Sequence, residues 1–119
     1  MSRRVGLGSL ALVGTLLALA SLSVMAEPRV IELAIRAGVL APDQRVIRVS
    51  QGDAVTLRWT SDRALTLHLH GYDIEQRLDP QTPATMSFTA RATGRFAIEV
   101  HAGPDKHEAT LGYLEVHPR

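Results

Sequence analysis

Four of the five histidines fall in two short clusters, and the chain has no cysteine. The first cluster is His68-Leu69-His70, at the end of an alternating apolar run. The second is Glu99-Val100-His101, with His107 six residues further on. Residues two apart on a strand share a face, so His68 projects with His70 and Glu99 with His101. If the two strands lie close, three imidazoles and a carboxylate can converge. Imidazole ligates copper, zinc, nickel and iron. Without cysteine, thiolate chemistry of any kind is excluded.

These residues need a frame, and the first 26 residues are not part of it. Ser2-Arg3-Arg4 gives a positive start, Val5 to Val24 carries no charge, and Val24-Met25-Ala26 ends the run with small or compact residues. This is the pattern of a secretory signal peptide cleaved after Ala26. The expected organisation is a signal peptide over 1–26 and one domain over 27–119. The expected location is the periplasm or the outside of the cell. The alternative is an uncleaved anchor, because about 20 apolar residues can span a bilayer; the membrane is a partner only in that case. Arg3-Arg4 also faintly resembles a twin-arginine export signal.

Removing Arg3 and Arg4 from the thirteen basic residues leaves eleven against twelve acidic ones. That balance offers no electrostatic footprint for nucleic acid. The remaining 93 residues can bury one modest core. Ser50, Ser61 and Ser87 lack a motif pairing them with a histidine and a carboxylate, and there is no glycine-rich phosphate loop. The chain reads as a binding module with no catalytic residues, not an enzyme.

Alternation with a period of two dominates from Val30 onward. Strands are expected at Val30 to Ile35, Arg45 to Val49, Ala54 to Thr60, Ala64 to His70, Ala84 to Thr89, Arg95 to His101 and Leu111 to Val116. An irregular stretch or short strand is expected from Tyr72 to Glu75. Gly38 to Asp43 and Ala102 to Ala109 read as loops. Seven or eight short strands with regular turns and no helix predict an all-β sandwich or small barrel. Leu65, Leu67 and Leu69 form a core face that turns His68 and His70 the other way. Ile98 and Val100 do the same for Glu99 and His101. Met86 is assigned to the core.

The order of motifs resembles a cupredoxin-like domain over Val30 to Val116. A strand ends in Val49-Ser50-Gln51-Gly52-Asp53, and an apolar strand with Trp59 follows. A strand ending in histidine comes next, then Ala92-Thr93-Gly94-Arg95-Phe96-Ala97-Ile98, a loop with His107, and Leu111-Gly112-Tyr113-Leu114-Glu115-Val116. The resemblance implies an exported Greek-key β-sandwich, often with copper at one end. It implies that His70 and His107 stand at the family's histidine-ligand positions. It also implies a cysteine near Val100 and a methionine near Thr110 or Leu111. Both are absent, so the His₂Cys set of a blue-copper site cannot form.

The candidate ligands are therefore His70 and His101 first, then His68, His107 and Glu99. Asp73 and Tyr72 are candidates to orient them, because ligating histidines usually donate their second nitrogen to a carboxylate or carbonyl. Each residue also has an ordinary role available: His68 as a surface cross-strand partner, Glu99 as an ion-pair partner of Arg95 or Arg58, His107 as a solvated loop residue. Nitrogen and oxygen donors without thiolate favour Cu(II), with zinc the competitor. Two readings follow. One is an exported copper-binding module for copper handling or redox support, working with an exported or membrane-bound redox or metal-transport protein. The other is a metal-free cupredoxin-like interaction module with no cofactor.

Overall fold

In the computed structural model, alternation becomes nine strands packed as two mixed sheets. It describes residues 2–3, 6, 8–19, 27–102 and 107–119, and of Ala102 and His107 the backbone alone. The strands are β1 (Pro28–Arg36), β2 (Val39–Leu40), β3 (Val46–Ser50), β4 (Ala54–Ser61), β5 (Leu65–Leu69), β6 (Ile74–Leu78), β7 (Ala84–Thr89), β8 (Gly94–Ala102) and β9 (His107–His117). One sheet has the order β2-β1-β4-β7 and the other β3-β9-β8-β5-β6. β1 runs parallel to β4 and β3 parallel to β9; the remaining pairs are antiparallel. The chain passes from one sheet to the other after β2, β3, β4, β6 and β7, as a Greek-key sandwich requires.

The core follows the expected parity. Leu57, Trp59 and Met86 from the four-stranded sheet meet Leu67, Leu69, Ile98 and Leu114 from the five-stranded sheet, all buried. Such inward-facing residues from both sheets are what holds a sandwich together. Tyr72, Phe88 and Phe96 pack at its margin. Tyr72 lies with its ring centroid 4.9 Å from Phe88 and 5.1 Å from Phe96, and its hydroxyl donates to the Ala92 carbonyl at 3.0 Å. It closes one end of the core.

Three elements differ from expectation. The loop assigned to Gly38 to Asp43 contains β2 and a turn of 3-10 helix at Pro42–Gln44. β6 begins at Ile74 and runs to Leu78, a full strand where a short or irregular one was expected. β9 begins at His107, so the loop assigned to Ala102 to Ala109 shrinks to the connection between Ala102 and His107. β9 also carries an irregularity. Ile98 faces Gly112 while the next residue, Glu99, faces Thr110, which leaves Leu111 as an extra residue. Such a bulge reverses side-chain parity. Leu111 points inward before it, and Gly112, Leu114 and Val116 after it. Glu108 and Thr110 are therefore aimed at the same outer face as Glu99 and His101.

The expected cleavage site at Val24-Met25-Ala26 lies outside the described residues. Among the described residues, no helix is long and apolar enough to cross a membrane.

Candidate metal centre

The strand register places the histidine clusters on the outer face of the five-stranded sheet. Leu65, Leu67 and Leu69 are buried, which turns Thr66 and His68 outward. Antiparallel pairing sets His68 opposite Glu99 on β8 and opposite Glu75 on β6. One step along, Thr66 faces His101 and Arg77, and His101 faces Glu108 on β9. His70 sits just past the end of β5, fixed by its N–H donating to the Ala97 carbonyl at 3.0 Å. Gly71 then turns the chain with φ of +81°, and a Cβ there would overlap the Phe96 ring. Only glycine satisfies both demands. Asp73 follows with φ of +52°, a conformation aspartate tolerates in turns.

The side chains form a continuous chain of contacts across three strands. His68 Nε2 lies 3.8 Å from Asp73 Oδ1. The His68 and His70 rings lie 4.2 Å apart. His70 Nε2 is 2.9 Å from Glu99 Oε2. Glu99 adjoins Glu108, and Glu108 Oε1 lies 3.6 Å from His101 Nε2. His70 Nε2 and Glu99 Oε2 are shielded from solvent, and neither completes an aligned hydrogen bond with any protein group. Two donor atoms facing each other at this spacing suit ligands in adjacent positions on one ion. Bonds of about 2.1 Å at a right angle put ligand atoms about 3 Å apart.

The Glu99 carboxyl is held below its ordinary value of 4.5. The His70 imidazole against it is the largest cause; Glu108 and the charges of His70 and His101 add to it, while partial burial opposes them. Glu99 is thus an anion at neutral pH, as a metal ligand must be. The expected ordinary partners of Glu99 are engaged elsewhere. Arg58 pairs with Glu32 at 3.3 Å, and Arg95 lies over the Tyr113 ring at 4.0 Å.

The structure also separates residues expected to act together. His70 is level with Ala97, so His101 lies four residues away, roughly 13 Å along the strand. The two histidines expected to lead one site belong to different ends of the chain of contacts. His107 pairs with Ala102, roughly 17 Å along β8 from Ala97. Its backbone is therefore remote from His70, and its side chain lies outside the described residues. Glu75 and Glu108 join the face without having been expected there. Only the register identifies them, through His68 and His101. Among the described residues, no group of three or more histidine, aspartate or glutamate side chains is closed around a single metal position. The arrangement is a series of pairs: His68–Asp73, His70–Glu99 and His101–Glu108.

A thiolate copper site does not fit. Val100 and Leu111 are each only 6% exposed and belong to the core, and Thr110, the other position for the implied methionine, is exposed and carries no sulfur. Of the donor types that could hold an ion, the outer face offers nitrogen and oxygen alone, from His70, Glu99 and His68.

No protein-family model and no curated protein matches the sequence. Solved structures do match. A heme-copper terminal oxidase dimer aligns with a TM-score of 0.60 at 18% identity, covering 75% of this chain and 65% of that one. A copper-binding protein in its apo form aligns at 0.58 and 12% identity, over 76% and 88%. A blue copper oxidase from Nitrosomonas europaea aligns at 0.57 and 22% identity, over 78% and 40%. The chain thus spans less than two thirds of both oxidase chains. Identities this low bear on the fold alone, and the shared fold agrees with the two-sheet topology: this chain folds as a cupredoxin-like β-sandwich domain.

Proposed function

We propose that this chain is an exported module that binds a divalent metal, copper in preference to zinc, through His70, Glu99 and His68. The observation that carries this reading is the facing of His70 Nε2 and Glu99 Oε2 at 2.9 Å, both shielded from solvent. A shielded nitrogen and a shielded carboxylate oxygen side by side are a donor pair that a divalent cation can take together. Copper stands highest in the affinity order for such donors. Copper-related neighbours of the same fold support the choice. When bound, the ion supplies either a transferable cargo or a one-electron redox centre. The residues contribute binding and orientation: Glu99 supplies negative charge, His70 and His68 supply nitrogen, and Asp73 stands behind His68 to fix its ring. The module would serve an exported or membrane-bound redox or metal-transport protein. Export rests on the Ser2-Arg3-Arg4 start and the uncharged run after it.

The test is a Cu(II) titration of the metal-free mature protein followed by electron paramagnetic resonance. A signal from nitrogen- and oxygen-ligated Cu(II) should saturate stoichiometrically. His70→Ala and Glu99→Gln should each weaken this binding at least about tenfold, the scale by which even supporting residues alter metal sites. No stoichiometric binding, or binding indifferent to both variants, overturns the reading.

A second reading has its own observation. The described donors form pairs rather than a closed cage, and core residues occupy the sulfur positions. A metal-free interaction domain would look the same at those positions. The titration separates the two.

A further inference from the structure

We infer that the opposite side of the sandwich carries a binding site for a small carboxylate with an apolar body, at Arg36 and Arg45 beside Ala34. The site is independent of the metal reading, since it lies against the four-stranded sheet and shares no residue with the histidine face. An open depression of about 310 Å³ lies there, at the small end of the range for ligand pockets. Arg36 and Arg45 stand in its walls, and Ala34, Val39, Ala41 and Pro42 supply its apolar surface. No carboxylate lines it.

Strand parity and one tight approach build this hollow. Leu33 and Ile35 are buried, so Glu32, Ala34 and Arg36 of β1 face outward. Ala34 is the small member of that row, and the hollow opens over it. The Ala37-Gly38 turn folds β2 back, which sets Val39 opposite Arg36 and leaves Val39 54% exposed. Arg45 comes from the other wall and is held in place. Its carbonyl accepts the Tyr113 N–H at 2.8 Å, and its Nε donates to the Leu40 carbonyl at 3.2 Å. Gly112 permits that approach, because a Cβ there would strike the Arg45 carbonyl. The Nε bond orients the guanidinium and leaves its two Nη groups to donate elsewhere.

The positive charge of these walls is not neutralised. Among the described residues, other arginines have ion pairs, but Arg36 and Arg45 have none. The carboxylates of this side are engaged elsewhere: Glu32 pairs with Arg58, while Asp62 pairs with Arg63 and accepts the Ala37 N–H. Asp43, on the turn before Arg45, does not line the hollow. Two guanidinium groups at one hollow attract an anion, and their planar forks match a carboxylate. The apolar surface beside them suits a short carbon chain attached to that carboxylate.

Titration of the isotope-labelled protein with hexanoate, followed by nuclear magnetic resonance of the backbone amides, tests this directly. The shifts should saturate and should centre on Ala34, Arg36, Val39 and Arg45. Hexanoate should bind roughly tenfold more tightly than acetate, because part of its chain leaves water. Arg36→Gln should weaken hexanoate at least about fivefold, through loss of a charge-assisted hydrogen bond. Ala34→Leu fills the hollow without changing any charge and should abolish saturation. Both side chains face outward, and circular dichroism verifies that the variants stay folded. No saturable shift in wild type would overturn the site. Equal affinity for acetate, hexanoate and inorganic phosphate would overturn it too, by showing an unselective cationic surface. So would hexanoate binding that neither variant changes. Copper titration of Ala34→Leu should match wild type, so the failure of either site leaves the other standing.

Discussion

At the scale of single residues, one carboxylate outside the histidine face ties the fold together. Asp53 is fully buried at the start of β4. Its Oδ2 accepts from the Ser50 N–H at 2.9 Å and lies 3.6 Å from Arg29 Nε, while Oδ1 accepts from Arg119. It thus links the entry to β1, the end of β3 and the segment after β9. A buried charge is retained only when paired and hydrogen-bonded, and Asp53 is both. Asp53→Ala should cost about 1–3 kcal/mol, because it strands the Ser50 N–H and disperses the guanidinium contacts. Asp53→Asn keeps an acceptor for Ser50 and should cost less. Urea denaturation of both variants checks this; an unchanged midpoint in the alanine variant would show that the contacts contribute nothing. The sequence marks Gln51-Gly52-Asp53 as a turn, but two of the three partners of Asp53 are distant in the chain, and no local pattern reveals them. The histidine face was legible for the opposite reason. His68 with His70, and Glu99 with His101, are two apart, so strand parity alone aims each pair outward. What parity cannot give is the register between strands, and register decides that His70 meets Glu99 while His101 meets Glu108.

At the scale of elements, strong alternation made β1, β4, β5, β7 and β8 readable within a few residues. β2 escaped because its hairpin lacks the usual turn chemistry. Ala37 and Gly38 both have positive φ, +51° and +78°, as a two-residue primed turn requires. Asparagine or aspartate before glycine would have announced it; alanine does not, and it adopts that conformation at a cost. The compensation comes from another turn. Asp62, between β4 and β5, accepts the Ala37 N–H at 2.9 Å. That hydrogen bond, with the neighbouring Arg63 guanidinium, holds the Asp62 carboxyl below its ordinary 3.8 against the opposing effect of desolvation. The sign follows from linkage. A carboxylate with a depressed folded pKa stabilises the protein above its unfolded pKa, and the stabilisation is lost as pH falls through the folded value. Asp62→Ala should therefore be less stable than wild type at neutral pH, and the gap should close as pH drops below about 3.8. Thermal unfolding of both proteins from pH 7 to pH 2 measures it. A gap constant with pH would mean that the carboxylate charge plays no part in holding the turn. The bulge in β9 escaped the sequence for a related reason: a single extra residue looks like continuing alternation until its partner strand is known.

For the whole molecule, the question is whether the outer face is a surface or a site, and folding free energy answers it without identifying any ligand atom. The sandwich forms its core without a disulfide, since the chain has no cysteine. Its stability therefore rests on the packing of two sheets whose outer face carries the histidines. A ligand that binds only the folded state raises stability by mass action, about 2.7 kcal/mol at a free concentration 100 times its dissociation constant. For a domain of this size each kcal/mol moves the melting temperature by about 4–8 °C. Saturating Cu(II) should consequently raise the melting temperature of the mature chain by roughly 10–20 °C. Zn(II) at equal concentration should raise it less, following the affinity order. The histidine variants place the effect on the molecule. His70→Ala should lose most of the shift, whereas His117→Ala should keep it, because His117 faces Glu115 at 3.4 Å, after the bulge and away from the candidate position. A shift shared equally by both variants would indicate loose surface binding. No shift in wild type would turn the reading toward the metal-free interaction domain, with the outer face a docking surface whose imidazoles are paired with carboxylates for solubility rather than poised for an ion.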